Sequence, residues 1–173
     1  REGTLLSIDA KLDTAENLKK AEKSGQKSNW RDIAKKTIPE YETLLWEPDV
    51  IALFALVGSA RACYLLDDDK QAMYYLSQQP ERFEGFDREF KKEEKGMAPG
   101  THARYWIGKV SLAMAQKEKD RKEKIALYKR AMSKYLYVVA KCPDFQIVGD
   151  AYSDLIFCQS ELNSLGLKVK LPA

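Results

Sequence analysis

Side chains suited to nucleophilic or acid–base chemistry are sparse in this sequence. It holds one histidine, His102, and three cysteines, Cys63, Cys142 and Cys158. A serine or cysteine nucleophile needs a base beside it, so any triad with a histidine base would have to centre on His102. No GxSxG or Cys-Gly-Ser pattern surrounds a candidate nucleophile, and His102 reads as a solvent-exposed residue at a helix start. No CxxC or CxxxxH pair exists, which leaves a zinc site without ligands. The glycines never form GxGxxG or GxxxxGKS/T, the loops that cradle phosphates. Asp67-Asp68-Asp69 is the densest acid run of its kind, but consecutive residues on a turn point in different directions and no calcium-loop pattern follows. It reads instead as a turn with acids favourably placed at the next helix's N-terminus. A single buried glutamate acting as a general acid would leave no sequence signature. The sequence therefore points to no catalytic, cofactor-binding or metal-binding residues.

Composition sets the frame those residues must sit in. With 173 residues, 45% of them hydrophobic, the chain can build a continuous core and is not a disordered chain. Its 29 basic and 26 acidic residues are interspersed, as on the solvated faces of amphipathic helices. A net charge of +3 without a concentrated basic stripe argues against nucleic acid. The most charged run, Lys117 to Lys124, mixes both signs and reads as a solvated face or loop. Each cysteine lies among apolar neighbours and suits a small core residue. A Cys142–Cys158 bridge is disfavoured, because helical rise carries Cys158 on the order of 18 Å along its helix. The most apolar stretch, Val50 to Val57, falls well short of a bilayer span. The chain begins Arg1-Glu2-Gly3 without Met, which we read as a processed or truncated form.

Helical periodicity dominates. Leu5, Ile8, Leu12, Ala15 and Leu18 form one stripe over about Thr4 to Lys23. Trp30, Ile33, Ala34, Ile38, Tyr41, Leu44 and Leu45 continue it over Asn29 to Trp46, with a kink or short break expected at Pro39. Asp49 to Leu66 is apolar on almost every side and belongs at the centre of a stack. A fourth helix is expected over Lys70 to Gln78. Residues 81–100 read as an insertion, with Phe83, Phe86 and Phe90 on one face of a short helix and Gly96 to Gly100 as a loop. Helices are then expected from Thr101, from Lys124 to Lys141 after a turn near Glu118 to Lys122, and from Gln146 to Leu165. Gly166 caps the last, and the tail beyond should pack loosely or extend.

These segments alternate between two kinds. One carries a small residue in mid-helix, Gly58 or Gly108, where a neighbouring helix can approach closely; the other ends in Pro48, Pro80 or Pro143. On this pattern the chain resembles the tetratricopeptide repeat (TPR) family. Ile107-Gly108 matches the family's apolar-plus-glycine position, and Ala131, Tyr135 and Pro143 match its small, aromatic and terminal proline positions. Ala34, Ile38 and Tyr41 before Pro48, and Ala72 and Leu76 before Pro80, repeat the second-helix spacing. Departures stand beside the matches: Arg104 occupies the family's first-helix Trp position and Ser111 its Tyr position. The link after Ala115 is about eleven residues longer than the family's repeat length requires. The phrase Tyr137 to Asp144 is similar to repeats of this family in bacterial cell-envelope proteins.

The resemblance implies an all-α fold, antiparallel helix pairs stacked as a short right-handed solenoid over 1–173. The pairs would span about 4–48, 49–80 and 101–143, with a final helix at 146–165. It also implies a non-enzymatic scaffold with a peptide or protein partner on the concave side, near His102, Tyr105 and Lys109. A structural or assembly subunit, joined through Phe83 to Phe90 or the C-terminal tail, is the competing reading; an enzyme built on a helical superhelix is the third. A periplasmic or cell-envelope location is expected over a cytoplasmic one.

Overall fold

In the computed structural model, described over residues 1–78, 98–142 and 144–172, every regular element is a helix. The chain divides into two compact units, Arg1–Arg82 and Phe83–Ala173. The expected insertion with Phe83, Phe86 and Phe90, and the proposed short helix there, lie outside the described residues.

The first unit contains α1 (Glu2–Glu22), α2 (Trp30–Glu42), α3 (Val50–Leu65) and α4 (Asp69–Leu76). Each packs on the next, and α1 also touches α3. The predicted stripe on α1 is the buried one, Leu5, Ile8, Leu12 and Ala15. Pro39 does not break α2, which runs unbroken from Trp30 to Glu42. The helix instead ends four residues before Trp46, so Thr43 to Trp46 form turns. On α3 burial extends all round the helix, as its composition requires. Covered on several faces, it forms the middle of this unit's core with Tyr41 and Trp30.

The Asp67–Asp69 run is a helix-to-helix turn. Asp67 takes the left-handed conformation at φ 61°, and the Asp67 and Asp68 N–H groups close back onto the carbonyls of Tyr64 (3.1 Å) and Cys63 (2.9 Å). Asp68 then caps α4 by accepting from the Gln71 N–H at 3.2 Å. At the other end of α3, Asp49 accepts from the Ala52 N–H at 2.9 Å. Arg1 braces this corner, donating to the Leu44 carbonyl at 2.9 Å and pairing with Asp49 at 3.0 Å.

The second unit contains α5 (Pro99–Lys117), α6 (Arg121–Lys141) and α7 (Phe145–Ser164). Pro99 and Gly100, expected in a loop, already belong to α5; proline suits a first helical position because its missing N–H would have no partner there. The residues beyond the family's spacing do not form a long loop. They lengthen α5 and α6, and only residues 118–120 separate the two helices. Asp120 caps α6 by accepting from the Glu123 N–H at 3.1 Å. The stripe Ala151, Leu155, Cys158 and Leu162 is buried on α7, as its periodicity predicts. Gly166, at φ 92°, closes α7 with the Leu167 N–H donating to Leu162 O at 3.1 Å. The tail is tied down: Leu167, Val169 and Leu171 pack on the core, and Gln159 Nε2 donates to Val169 O at 3.0 Å. All three cysteines are free thiols.

Candidate functional site

His102, Tyr105 and Lys109 are spaced three and four residues apart, so they share one face of α5 as the sequence requires. That face is not open. His102 is half-buried in the first turn. Tyr105 is 6% exposed, and its hydroxyl donates to Asp150 on α7. Lys109 Nζ pairs with Asp150 Oδ2 at 2.6 Å and Asp154 Oδ2 at 3.0 Å. Tyr135 on α6 completes the cluster by donating to Asp154 at 2.8 Å. The expectation of a partner-facing Tyr105 and Lys109 is corrected to this extent: α7 already occupies their polar ends. Asp150 and Asp154 are an i,i+4 pair on the polar side of α7, and nothing in the α5 pattern alone reveals that they meet Lys109.

The electrostatics of this cluster favour holding rather than reacting. Burial works against a charged Lys109, but Asp150, Tyr105 and Asp154 outweigh it and keep the ammonium above its ordinary value. Burial, then Asp150, pushes the Tyr105 hydroxyl up; burial and Asp154 do the same to Tyr135. At neutral pH the lysine is therefore a fixed cation and both phenols are hydrogen-bond donors. None of the three is primed as a nucleophile or base.

An open aromatic site lies in the first unit, between the C-terminal end of α2 and α4. A groove of about 680 Å³ is lined by Pro39, Leu45, Trp46, Tyr74 and Tyr75, with Glu42, Thr43, Gln71 and Gln78 among them. Trp46 is 86% exposed and Tyr74 57%. Tyr75 is the buried member; its hydroxyl donates to Glu42 Oε1 at 2.6 Å, and its ring meets Tyr74 edge-on at 5.7 Å between centroids. Burial, then that bond, lifts the Tyr75 hydroxyl to about 12. Among the described residues, Glu42 is the sole charged residue along the lining, and no lysine or arginine joins it.

Comparison with known proteins returns no match: no family model fits the chain, and no curated protein or solved structure matches it. The chain is thus an all-α protein of sequentially packed helices, and its geometry must speak for its role.

Sequence reasoning passed over this groove. One signal was available: Tyr74 and Tyr75 are adjacent, and a helix turns about 100° per residue, so they cannot both face the same core. The partner of Tyr74, Trp46, follows the end of α2, where stripe reasoning no longer applies. Among the described residues no cluster of metal-binding side chains exists, and no helix is long and apolar enough to cross a membrane.

Proposed function

We propose that this chain is a non-enzymatic helical-repeat module that binds a peptide or protein partner, with its helix pairs stacked in the manner of a right-handed TPR-like solenoid. The observation that carries this reading is the exposed Trp46–Tyr74 groove. Large aromatics left in water on a concave surface are the residues that dominate binding energy at protein interfaces. Sequential packing of helices joined by short turns supports the repeat part of the reading. So does the close seat of Gly108 against Tyr135, two of the positions at which the sequence resembles the TPR pattern. The similarity of Tyr137 to Asp144 to bacterial repeat proteins supports a periplasmic or cell-envelope location.

Parallel affinity captures, with the wild-type chain and a Trp46→Ala, Tyr74→Ala variant as baits, test the reading. Specific proteins retained by the first and lost by the second are expected. Identical captures from both baits would remove the groove as the binding surface. The Tyr105→Ala, Lys109→Ala variant is a poor bait, because it dismantles the α5–α7 contact.

A second reading, an assembly subunit, draws on one observation. Tyr152 and Ile156 stand one turn apart on α7, with Phe157 beside them, and all three are exposed. Sedimentation at several concentrations separates the two: self-association that Tyr152→Ala abolishes favours assembly, and a monomer throughout disfavours it.

A further inference from the structure

The lining of the Trp46 groove is chemically one-sided. Trp46 and Tyr74 are largely exposed, and the face of an aromatic ring, the negative side of its quadrupole, attracts cations. Glu42, exposed at the end of α2, adds a full negative charge, and among the described residues the lining holds no lysine or arginine. Glu42 also sits at a helix C-terminus, where unsatisfied carbonyls reinforce a negative potential. Its field reaches the interior: after burial, the charges of Asp68 and Glu42 help push the Cys63 thiol up to about 12. Gln71 and Gln78 supply amide donors and acceptors along the α4 side.

We infer that the groove takes an extended segment of a basic peptide. An arginine or lysine of that segment lays its aliphatic stem across Trp46 and Tyr74 and brings its charged head to Glu42. Gln71 of α4 and Gln78 just past its end pair with the peptide backbone, and a proline or other aliphatic neighbour fills the space beside Pro39 and Leu45. This rests on the interaction-module reading and names the chemistry of its ligand. Anionic peptides are disfavoured by like charge at Glu42.

The test uses the full chain and three short, end-capped alanine–proline peptides that differ in one central residue: arginine, citrulline or glutamate. The readout is the indole N–H signal of Trp46, assigned through Trp46→Phe and compared with those of Trp30 and Trp106. The arginine peptide should shift the Trp46 signal saturably, more weakly as salt rises, while the citrulline and glutamate peptides bind less. Glu42→Gln keeps a carbonyl acceptor for the Tyr75 hydroxyl, so the fold is retained. That variant should weaken the arginine peptide about three- to fivefold, the range of an exposed charge pair, and leave the citrulline peptide unchanged. Equal binding of arginine and citrulline peptides, or an arginine affinity untouched by Glu42→Gln, would overturn the cationic assignment while leaving the groove as a docking surface. Silence of the Trp46 signal with all three peptides also overturns it, and the capture experiment above then decides separately whether the groove binds any partner.

Discussion

The two units solve one packing problem in opposite chain directions. In the first, Tyr41 of α2 is laid against Gly58 of α3, and its hydroxyl donates to Asp9 of α1 at 2.6 Å. In the second, Tyr135 of α6 is laid against Gly108 of α5, and its hydroxyl donates to Asp154 of α7 at 2.8 Å. Each glycine helix also sends a cation to two carboxylates on the far helix: Arg61 to Asp13 and Glu16, Lys109 to Asp150 and Asp154. The order of helices is acid, ring, glycine in the first unit and glycine, ring, acid in the second. A tyrosine ring set into the gap left by a missing Cβ, with its hydroxyl reaching a third helix, does not depend on which helix comes first. It needs only three neighbouring helices and a buried phenol that must find an acceptor. Recurrence of the arrangement also bears on Tyr105 and Lys109: a cluster with a counterpart elsewhere in the chain is most simply a fastening between helices.

The comparison predicts its largest effect at the rings. Tyr41→Ala and Tyr135→Ala should each cost about 3–5 kcal/mol, as for other fully buried aromatics. Chemical denaturation followed through Trp30 and Trp106, in otherwise single-tryptophan variants, would report each unit. If Tyr41→Ala shifts the Trp106 transition as far as that of Trp30, the units do not act separately.

The glycines come next. A methyl at Gly108 would stand 2.8 Å from Tyr135 Cε1, and one at Gly58 would press harder still on Tyr41. Overpacking of this kind costs about 1–3 kcal/mol, with Gly58→Ala expected at the upper end and Gly108→Ala at the lower. In a Tyr41→Leu background the Gly58→Ala cost should fall by about 1 kcal/mol, the coupling expected of residues in contact. An unchanged cost in the double variant would show that the ring is not what the glycine accommodates.

The cations should differ modestly. Lys109→Met removes the ammonium that Asp150 and Asp154 share, while both also hold tyrosine hydroxyls, at a cost of about 1–2 kcal/mol. Arg61→Met should cost less, because Asp13 is largely solvated. Thermal melts of the two variants side by side check the order, and the reverse order would break the analogy between the clusters.

The smallest effect is in pH dependence, where α1 carries two opposite signs. Burial opposes ionisation of Glu16, but Arg61 and Lys20 outweigh it and hold this carboxyl below its ordinary value. Glu16 therefore stabilises the fold above the unfolded carboxylate range, and that contribution is lost as pH falls through its folded value. Burial dominates at Asp9 and raises it despite the Tyr41 hydroxyl and Arg61. Its charge is thus a cost at neutral pH, relieved as pH falls through its folded value. Asp9→Asn removes that relief while keeping an acceptor for Tyr41, so its stability should fall more steeply than wild type between about pH 5 and pH 3. Parallel slopes in urea titrations across that window would contradict the assignment.

Much of this architecture was legible in the residues. The stripes Leu5–Ile8–Leu12–Ala15 and Ala151–Leu155–Cys158–Leu162 are buried as periodicity predicts, and α3 is covered on several faces because it has no polar side to expose. The Asp67–Asp69 turn leading into α4 and the Gly166 terminus were readable because they are local chemistry. At Pro39 a kink or a short break was expected, and the break does not occur: core contacts of Trp30, Ala34 and Tyr41 hold α2 together across a position where propensity alone favours one. Arg104, out of place against the TPR pattern, stacks over Tyr137 at 3.9 Å and so uses the neighbouring helix in its own way. The candidate site was less legible. Tyr105 and Lys109 share one face of α5, as their spacing requires, but what covers that face comes from a helix some forty residues away.

By itself the sequence determined which segments are helical, which stripes they bury, and that two mid-helix glycines each admit a close neighbour. These follow from hydrogen bonding and side-chain shape within a few residues. Only the tertiary structure decided which neighbour each glycine receives, which cations meet which carboxylates, and which aromatics remain in water at Trp46 and Tyr74. Those outcomes depend on contacts between segments far apart in the chain, and periodicity fixes the facing of a helix without naming the surface it will meet.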